Sequence, residues 1–364
     1  MAESGKVRVG ILFGGRSAEH EISILSARNV LAALDLTRFE PVLIGIDKNG
    51  RWLTQDAKRL LASARDPRRV HIESGTPTQL PTTFGAGGTA SVPALDVIFP
   101  VLHGTLGEDG AVQGLLEVAG IPYVGAGVLG SAIGMDKDVM KRLLRDAGIA
   151  VTPFLTLRRE RFDADPAAAC RKLGALGLPL FVKPANAGSS VGITKIKDFA
   201  EIERAARHAF EFDSKILGET AVVGREIELA VLGGEPPTVS VAGEIVVAHP
   251  DGFYSYDAKY IDEKGVTFDL PAHLTQEEQR RAQSIALTAF EVLECEGLAR
   301  VDLFMTRAGE FLVNEINTLP GFTAISMYPK LWALSGIPQQ ELVTRLIELA
   351  LERSRRRASL KRSI

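Results

Sequence analysis

The 364 residues leave room for two or three domains, and 46% hydrophobic with 24% charged residues is the balance of a folded chain, which excludes an intrinsically disordered one. A net charge of −3 gives no electrostatic reason to expect nucleic acid as a partner. Cys170 and Cys295 stand far apart with no CxxC spacing, which argues against a disulfide framework or a thiolate metal site and suits a reducing cytosol.

Met1 to Gly10 has no apolar segment preceded by positive charge, so no signal peptide is read there. No apolar run approaches the roughly 20 residues of a membrane helix, so a cytoplasmic location without membrane association is expected. Val7 to Phe13 reads as a strand that ends in Gly14-Gly15. A helical pattern follows with Ile22, Leu25, Val30 and Leu34 on its apolar positions, then a strand over Val42 to Ile46. Leu95 to Val101 is another strand, ending at His103-Gly104. Strand, Gly-rich turn, helix, strand is the signature of a parallel α/β unit. Ser74 to Ser91, rich in Gly, Thr and Pro, reads as a surface loop. Val112 to Val118 predicts a short helix and Ile121 to Val124 a short strand.

A second region begins near Val128. Asp136 is placed to cap a helix running to Ala147, with Gly148 past its end. Phe181-Val182-Lys183 predicts a strand, Phe199 to Phe212 a helix, and Ile216-Leu217 a strand. The third region opens with strands over Glu226 to Leu232 and Pro237 to Val247, then a polar aromatic loop from His249 to Leu270. Thr275 with Glu278 forms a capping box for a helix reaching about Leu293. Val301 to Val313 reads as a hairpin, and Pro338 opens a last helix at its favoured first position. The basic stretch Arg353 to Arg362 reads as a solvated helix end or a disordered tail. No internal repeat is present.

The strongest chemical signal is the run from Arg300 to Asn317. With a hairpin tip centred on Ala308-Gly309, Asp302 faces Glu315 and Arg300 faces Asn317. The four polar groups then share one face, and Leu303, Met305, Leu312 and Ile316 fill the other. Like charges directly opposite across a sheet destabilise it, so two facing carboxylates call for a cation. Two carboxylates and an amide carbonyl favour magnesium or manganese over zinc, and magnesium is typically completed by waters and phosphate oxygens. Arg300 never loses its proton, so it serves as a stabiliser of developing negative charge and not as a base.

Lys183 leads from a strand into Pro-Ala-Asn-Ala-Gly188-Ser189-Ser190-Val-Gly192. Small residues there let backbone N–H groups approach an anion, the hydroxyls add donors, and Lys183 supplies a point charge. The run is neither a GxxxxGK[ST] loop nor a GxGxxG fingerprint. Lys137, at a helix start, is a second phosphate candidate. Glu219 and Glu226 flank the passage from the second region to the third, where a nucleotide between two small domains needs acceptors for ribose hydroxyls or an adenine amine.

Taken in order, several motifs resemble the D-alanine–D-alanine ligases of the ATP-grasp superfamily, over roughly residues 6 to 350. They are Phe13-Gly-Gly-Arg-Ser-Ala-Glu19-His-Glu-Ile-Ser23, Leu102-His103-Gly-Thr-Leu-Gly-Glu108-Asp-Gly110, Met135-Asp-Lys137 and Lys183-Pro through Gly192. They continue with Tyr256-Asp-Ala-Lys259-Tyr260, Arg300-Val-Asp302 and Asn314-Glu-Ile-Asn-Thr-Leu-Pro-Gly321-Phe-Thr323. The resemblance implies an α/β (α+β ATP-grasp) fold. A substrate-binding α/β domain would span 1–128, followed by two subdomains, 129–220 and 221–352, that clasp ATP between them. A lid would lie at 249–270 and a basic tail at 353–364.

The implied reaction activates one D-alanine as an acyl phosphate with ATP and joins it to the amine of a second, for peptidoglycan precursor synthesis. Asp302, Glu315 and Asn317 would hold two magnesium ions, with manganese able to substitute, and Arg300 with the Gly321 N–H would form the oxyanion hole. Glu19, assisted by His103, would bind the first ammonium, and Ser326 the second carboxylate. Lys137, Lys183, Ser189, Ser190, Glu219, Glu226 and Lys259 would contact ATP. Glu19, Ser189 and Tyr260 would tie the first domain to two mobile loops, and a homodimer is implied. Tyr260 favours D-alanine over D-lactate as acceptor. Departures are Thr220, where the family often has lysine, and Asp257, where glutamate is common. The rival readings are a sister ligase with another acceptor, and a nucleotide-binding protein on a degenerate scaffold. The intact metal and oxyanion residues argue against the second.

Overall fold

Val7–Gly14 is an apolar run largely buried on both faces, as a central parallel strand requires, and forms β1. The computed structural model describes residues 5–63, 66, 68, 70–72, 75–78, 94–247 and 266–361. After β1 come the helix His20–Ala33 and the strands β2 (Phe39–Ile46), β3 (Trp52–Gln55), β4 (Thr76–Pro77) and β5 (Val97–Pro100). The sheet order is β4-β3-β2-β1-β5, with β1 parallel to both β2 and β5. Because β2 and β5 lie on opposite sides of β1, the loops after β1 and β5 diverge and open a crevice at the carboxyl ends of the strands. Glu19 and His103 stand on those two loops, and Ser17 Oγ donates to His103 O at 2.6 Å between them.

Four antiparallel strands form a second sheet: β6 (Phe154–Arg158), β7 (Leu180–Pro184), β8 (Thr194–Ile196) and β9 (Lys215–Thr220), ordered β6-β9-β7-β8. The third sheet holds β10 (Gly224–Leu232), β11 (Thr238–Val239), β12 (Gly243–Val247), β13 (Val266–Asp269), β14 (Leu298–Thr306) and β15 (Phe311–Asn317). Its order is β13-β12-β10-β14-β15, with β11 beside β10. The predicted caps form. Asp136 accepts from the N–H groups of Asp138 and Val139 to start the helix Lys137–Asp146, and Gly148 follows it at φ 77°. Thr275 and Glu278 bond reciprocally ahead of the helix Gln276–Val292.

Several expectations need correction. Ile121 to Val124 contributes only a single bridge, Ile98 to Tyr123, in which the Ile98 N–H donates to Pro122 O and Ile98 O accepts from the Val124 N–H. Pro237 to Val247 is broken into β11 and β12, since Ser240 turns its hydroxyl onto the Ala230 N–H and interrupts the ladder. Thr76–Pro77 of the predicted surface loop pairs with β3, while most of that loop lies outside the described residues. Pro338 is the N-cap and not the first helical residue of Gln339–Ala358. The helices Val128–Met135, Pro166–Gly174 and Met327–Leu334 have no counterpart in the sequence reading.

One core spans the first and third sheets, joining Val9, Phe99, Ala230, Leu298, Phe322, Tyr328 and Leu346. A second lies on the other face of the third sheet and takes in Met140 and Leu144 of the helix Lys137–Asp146. The four-stranded sheet has its own core, around Phe162, Leu173, Val182 and Phe210. It meets the helix Lys137–Asp146 through charge: Lys215 Nζ lies 2.5 Å from Asp136 and 3.3 Å from Asp138.

The basic C-terminal stretch also departs from expectation. Arg355 and Arg356 are exposed, as a solvated helix end should be, but Arg353 is buried. Its guanidinium donates to Gly125 O at 2.5 Å and Tyr123 O at 2.7 Å, and pairs with Glu296 at 3.1 Å. Arg357 pairs with Glu117 and with Glu296. The last helix therefore clamps the end of the first α/β unit to the third. Removing the Arg353 side chain leaves the buried carbonyls of Gly125 and Tyr123 without their donor, while Glu296 keeps Arg357. Arg353→Ala should lower the unfolding free energy by about 3 kcal/mol in urea denaturation, whereas Arg356→Ala should change it by less than about 0.5 kcal/mol. Equal effects would refute the clamp.

Candidate active site

β14 and β15 pair Met305 with Phe311, Phe304 with Leu312 and Leu303 with Val313 near the tip. Beyond a register shift they pair Asp302 with Glu315, Val301 with Ile316 and Arg300 with Asn317. The shift leaves Asn314 as an extra residue on β15, a β-bulge. The expected facing of Asp302 with Glu315 and of Arg300 with Asn317 holds. The expected apolar face does not hold throughout: Leu303, Met305 and Ile316 are buried, but Phe311 and Val313 join them in place of half-exposed Leu312. A bulge inverts the alternation, so the tip side of β15 runs one residue out of step with the sequence expectation.

β10 supplies two more carboxylates to the polar face, with Glu228 opposite Asp302 and Glu226 opposite Phe304. Arg300 donates Nε to Asp302 Oδ1 and Nη2 to Oδ2, each at 2.7 Å, and its Nε lies 3.2 Å from Glu228. Burial alone would push the guanidinium pKa down. Asp302 and Glu228 outweigh it and hold the group well above its ordinary value. Asn317 Nδ2 lies 3.0 Å from Asp302 Oδ2, and the reverse amide orientation would turn its oxygen to the same place. Lys137 Nζ donates to Ala187 O at 2.7 Å and lies 3.4 Å from Glu315. Two carboxylates and an amide on one face form an oxygen donor set that fits magnesium. Three such side chains leave coordination positions of a six-coordinate ion to water or phosphate.

Above this floor stands the loop between β7 and β8. Ser189 and Ser190 sit in the left-handed region at φ 47° and 59°, a strained conformation for residues with a Cβ. Ser189 Oγ donates to Glu19 Oε1, a bond from this loop to the first α/β unit. The Glu19 carboxylate is wedged between two glycine backbones: a Cβ on Gly188 would come within 2.6 Å of Oε2 and one on Gly104 within 2.7 Å. His103 is buried, with Nδ1 3.1 Å from Leu319 O and Nε2 3.0 Å from Ser26 Oγ. Burial pushes its pKa down, so the ring stays neutral near pH 7. Ser26 Oγ also accepts from the Phe322 N–H at 3.2 Å, which ties His103 to the segment holding Gly321. Ser326 Oγ accepts from the Thr323 N–H at 2.9 Å and would lie 2.8 Å from a Cβ on Gly321. Gly321 and Ser326 are thus neighbours. Lys259, Tyr260 and most of the lid, 249–265, lie outside the described residues.

A cleft of about 190 Å³ separates the loop from the hairpin. Lys137, Lys183, Ser189, Ser190, Glu219 and Glu226 line it, and so do Arg300, Asp302 and Glu315. Lys183 Nζ lies 2.8 Å from Glu219 Oε2, and Lys141 Nζ lies 3.4 Å from Oε1. Burial alone would raise the Glu219 pKa, but the two lysines lower it. Burial pushes Lys141 down to about 8, against the pull of Glu219. Sequence reasoning missed Lys141, Glu228 and the role of Glu108. Lys141 follows Lys137 by four residues, one helical turn, and Glu228 follows Glu226 by two, one strand repeat; both spacings were readable signals.

Models of two families match the chain: the D-ala D-ala ligase N-terminus over residues 8–126 and the D-ala D-ala ligase C-terminus over residues 143–348. A D-alanine–D-alanine ligase A of Chromobacterium violaceum is 54% identical, covering 99% of each chain. One of Escherichia coli strain K12 is 51% identical over 96% of each. Among solved structures, the D-alanine–D-alanine ligase of Coxiella burnetii superposes with a TM-score of 0.84 at 39% identity, covering 97% of this chain and 96% of that one. The VanG D-Ala:D-Ser ligase of Enterococcus faecalis superposes at 0.82 with 35% identity, covering 95% and 99%.

Glu108 carries a pH prediction. Its Oε2 accepts from the Gly104 N–H at 2.6 Å. Burial, with Glu19 adding repulsion, pushes its carboxyl from an ordinary 4.5 up to about 8. The folded protein therefore holds this proton more tightly than the unfolded chain. Between those pH values ionisation costs the folded state, and Glu108 lowers stability as pH rises. Glu108→Gln cannot ionise, so its stability relative to wild type should climb from pH 5 to pH 8 in thermal unfolding. A constant difference would overturn the assignment.

Proposed function

The chain belongs to the D-alanine–D-alanine ligase family, and from that premise we propose that it joins two D-alanine molecules with ATP through a D-alanyl phosphate, supplying a peptidoglycan precursor. The observation that carries this reading is Asp302 opposite Glu315, with Arg300 beside them, on the floor of a cleft roofed by Ser189. Residues 129–220 and 221–352 clasp the nucleotide, and residues 1–128 receive the first D-alanine. Asp302, Glu315 and Asn317 hold two magnesium ions, or manganese in their place, which supply neutralisation of phosphate charge when bound.

Glu19, steadied by Ser189, takes the ammonium of the first D-alanine. The carboxylate oxygen of that D-alanine attacks the γ-phosphorus of ATP; the bond to the bridging oxygen breaks and ADP leaves. Lys137 and Lys183, with the Ser189 and Ser190 backbone, orient the phosphates, and Glu226 takes the ribose or adenine side. Glu219 sits against Lys183 and Lys141 and so reaches the nucleotide from a carboxylate already held by lysines. The amine of the second D-alanine, its carboxylate at Ser326, attacks the acyl carbon and inorganic phosphate departs. Arg300 and the Gly321 N–H stabilise the oxyanion. Neutral His103 braces the Gly321 segment through Ser26 and Leu319. Lys259 reaches the γ-phosphate as the lid closes, and Tyr260 completes the Glu19–Ser189 network and selects an amine acceptor. Closure excludes water, which would otherwise hydrolyse the acyl phosphate. The enzyme acts in the cytoplasm as a homodimer; no described helix is long and apolar enough to cross a membrane.

Phosphate release should require ATP, magnesium and D-alanine together. D-Serine or D-lactate offered in competition should be used less than D-alanine; preference for either would move the chain to a sister activity. Glu315→Gln should lower kcat by about 100-fold or more and raise the magnesium needed for half-maximal rate. Near-normal turnover in that variant would break the metal assignment.

A further inference from the structure

We infer that Lys141 is a positioning residue for nucleotide binding, drawing on one oxygen of Glu219 so that this carboxylate does not neutralise Lys183 and Lys183 stays available to the phosphates. Lys141 lies one turn after Lys137 on the helix Lys137–Asp146 and is fully buried, at 0% exposure. It does not line the cleft, so it acts on a ligand only through a neighbour. An ammonium taken wholly out of water is among the costliest groups to bury, and survives only against an opposite charge. That charge is Glu219, 3.4 Å away at Oε1. At that distance the pair attracts by charge, with at most a long and poorly directed hydrogen bond between Lys141 Nζ and Glu219 Oε1.

The consequence is electrostatic. Glu219 Oε2 holds Lys183 at 2.8 Å. With Lys183 as its sole partner, the carboxylate would cancel the lysine charge and draw the ammonium away from the cleft. With a second lysine beneath, the three-group cluster carries one net positive charge, and Lys183 is the member that faces the cleft. The other charged groups acting on Lys141 come from separate strands, Lys183 on β7 and Glu315 on β15. A merely structural lysine would pin β9 to the helix and affect the whole fold equally. A positioning lysine affects one substrate.

The inference rests on the reading that this cleft binds ATP, and steady-state kinetics with ATP, magnesium and D-alanine separate the two. Lys141→Met should raise KM for ATP about tenfold, leave kcat within about threefold and leave KM for D-alanine within about twofold. Because Lys141 works through the Glu219 charge, Lys141→Met combined with Glu219→Gln should bind ATP no worse than Glu219→Gln alone. Should Lys141→Met fail to fold, that comparison stands by itself, since the double variant has no lone buried carboxylate. An unchanged KM for ATP in Lys141→Met, or penalties that add in the double variant, would overturn the inference. Wild-type protein without ATP-dependent turnover would overturn the functional reading beneath it.

Discussion

One extra residue in β15 decides which side of the third sheet carries charge. If the register of the tip, Met305 to Phe311, ran on without the bulge, Asp302 would face Asn314 and Glu315 would turn toward the apolar core around Ile227 and Val301. A carboxylate there would be desolvated without a partner, at a cost of several kcal/mol. The bulge restores the alternation, and with it Asp302, Glu315, Glu226 and Glu228 share one face of three adjacent strands. That concentration of negative charge is what Arg300 and Lys137 offset within the protein. It is also what gives a divalent ion a seat in the proposed chemistry.

The cores explain why some of the site is rigid and some is held more lightly. Phe322 packs edge-on against Phe99 at 5.8 Å, inside the apolar core that spans the first and third sheets. Gly321, His103 and the hairpin are therefore fixed relative to one another by apolar burial, which is strong and insensitive to salt. The four-stranded sheet keeps its own core and meets the rest through Lys215 with Asp136, Lys141 with Glu219, Lys137 with Ala187 O, and Ser189 with Glu19. Contacts of that kind are directional and few. They permit the loop that roofs the cleft to move against its floor with little loss of packing, as capture and release of a nucleotide require.

Much of this was legible in the sequence because local chemistry and tertiary need agreed. Asp136 and the Thr275 with Glu278 pair announced helix starts, and the Gly14-Gly15 and His103-Gly104 turns announced a parallel unit. The hairpin register was legible at Asp302 for a less secure reason: the assumed tip was half a residue off, and the bulge at Asn314 compensated. Leu312 exposes that coincidence, since it lies on the face opposite the expected one. Arg353 and Lys141 were hidden because composition treats a lysine or arginine as solvated, and only the fold brings Tyr123 O or Glu219 against them. The helix Val128–Met135 was hidden for the opposite reason. Its Gly130 and Gly134 argue locally against a helix, yet a Cβ at either would strike Glu294 O or Thr318, so close packing and not propensity selected them.

Charge balance connects the floor of the cleft to what lies beneath it. Among the described residues, Lys137, Lys183, Lys195 and Arg300 line the cleft with Glu219, Glu226, Glu228, Asp302 and Glu315, one carboxylate more than there are cations. Lys141, just below, makes the count even. A neutral cleft does not repel a triphosphate, but it does not draw one in either, so a triphosphate arriving alone would leave its own charge uncompensated in a partly buried space. In the proposed chemistry a triphosphate accompanied by divalent ions would arrive close to neutral, with its ions at the Asp302 and Glu315 face and its oxygens at Lys137 and Lys183. The arrangement thus favours the metal-bound nucleotide over the bare one by electrostatics alone. Without Lys141 the cleft would hold one negative charge in excess and repel a bare triphosphate, so the buried lysine, which touches no ligand, moderates that repulsion.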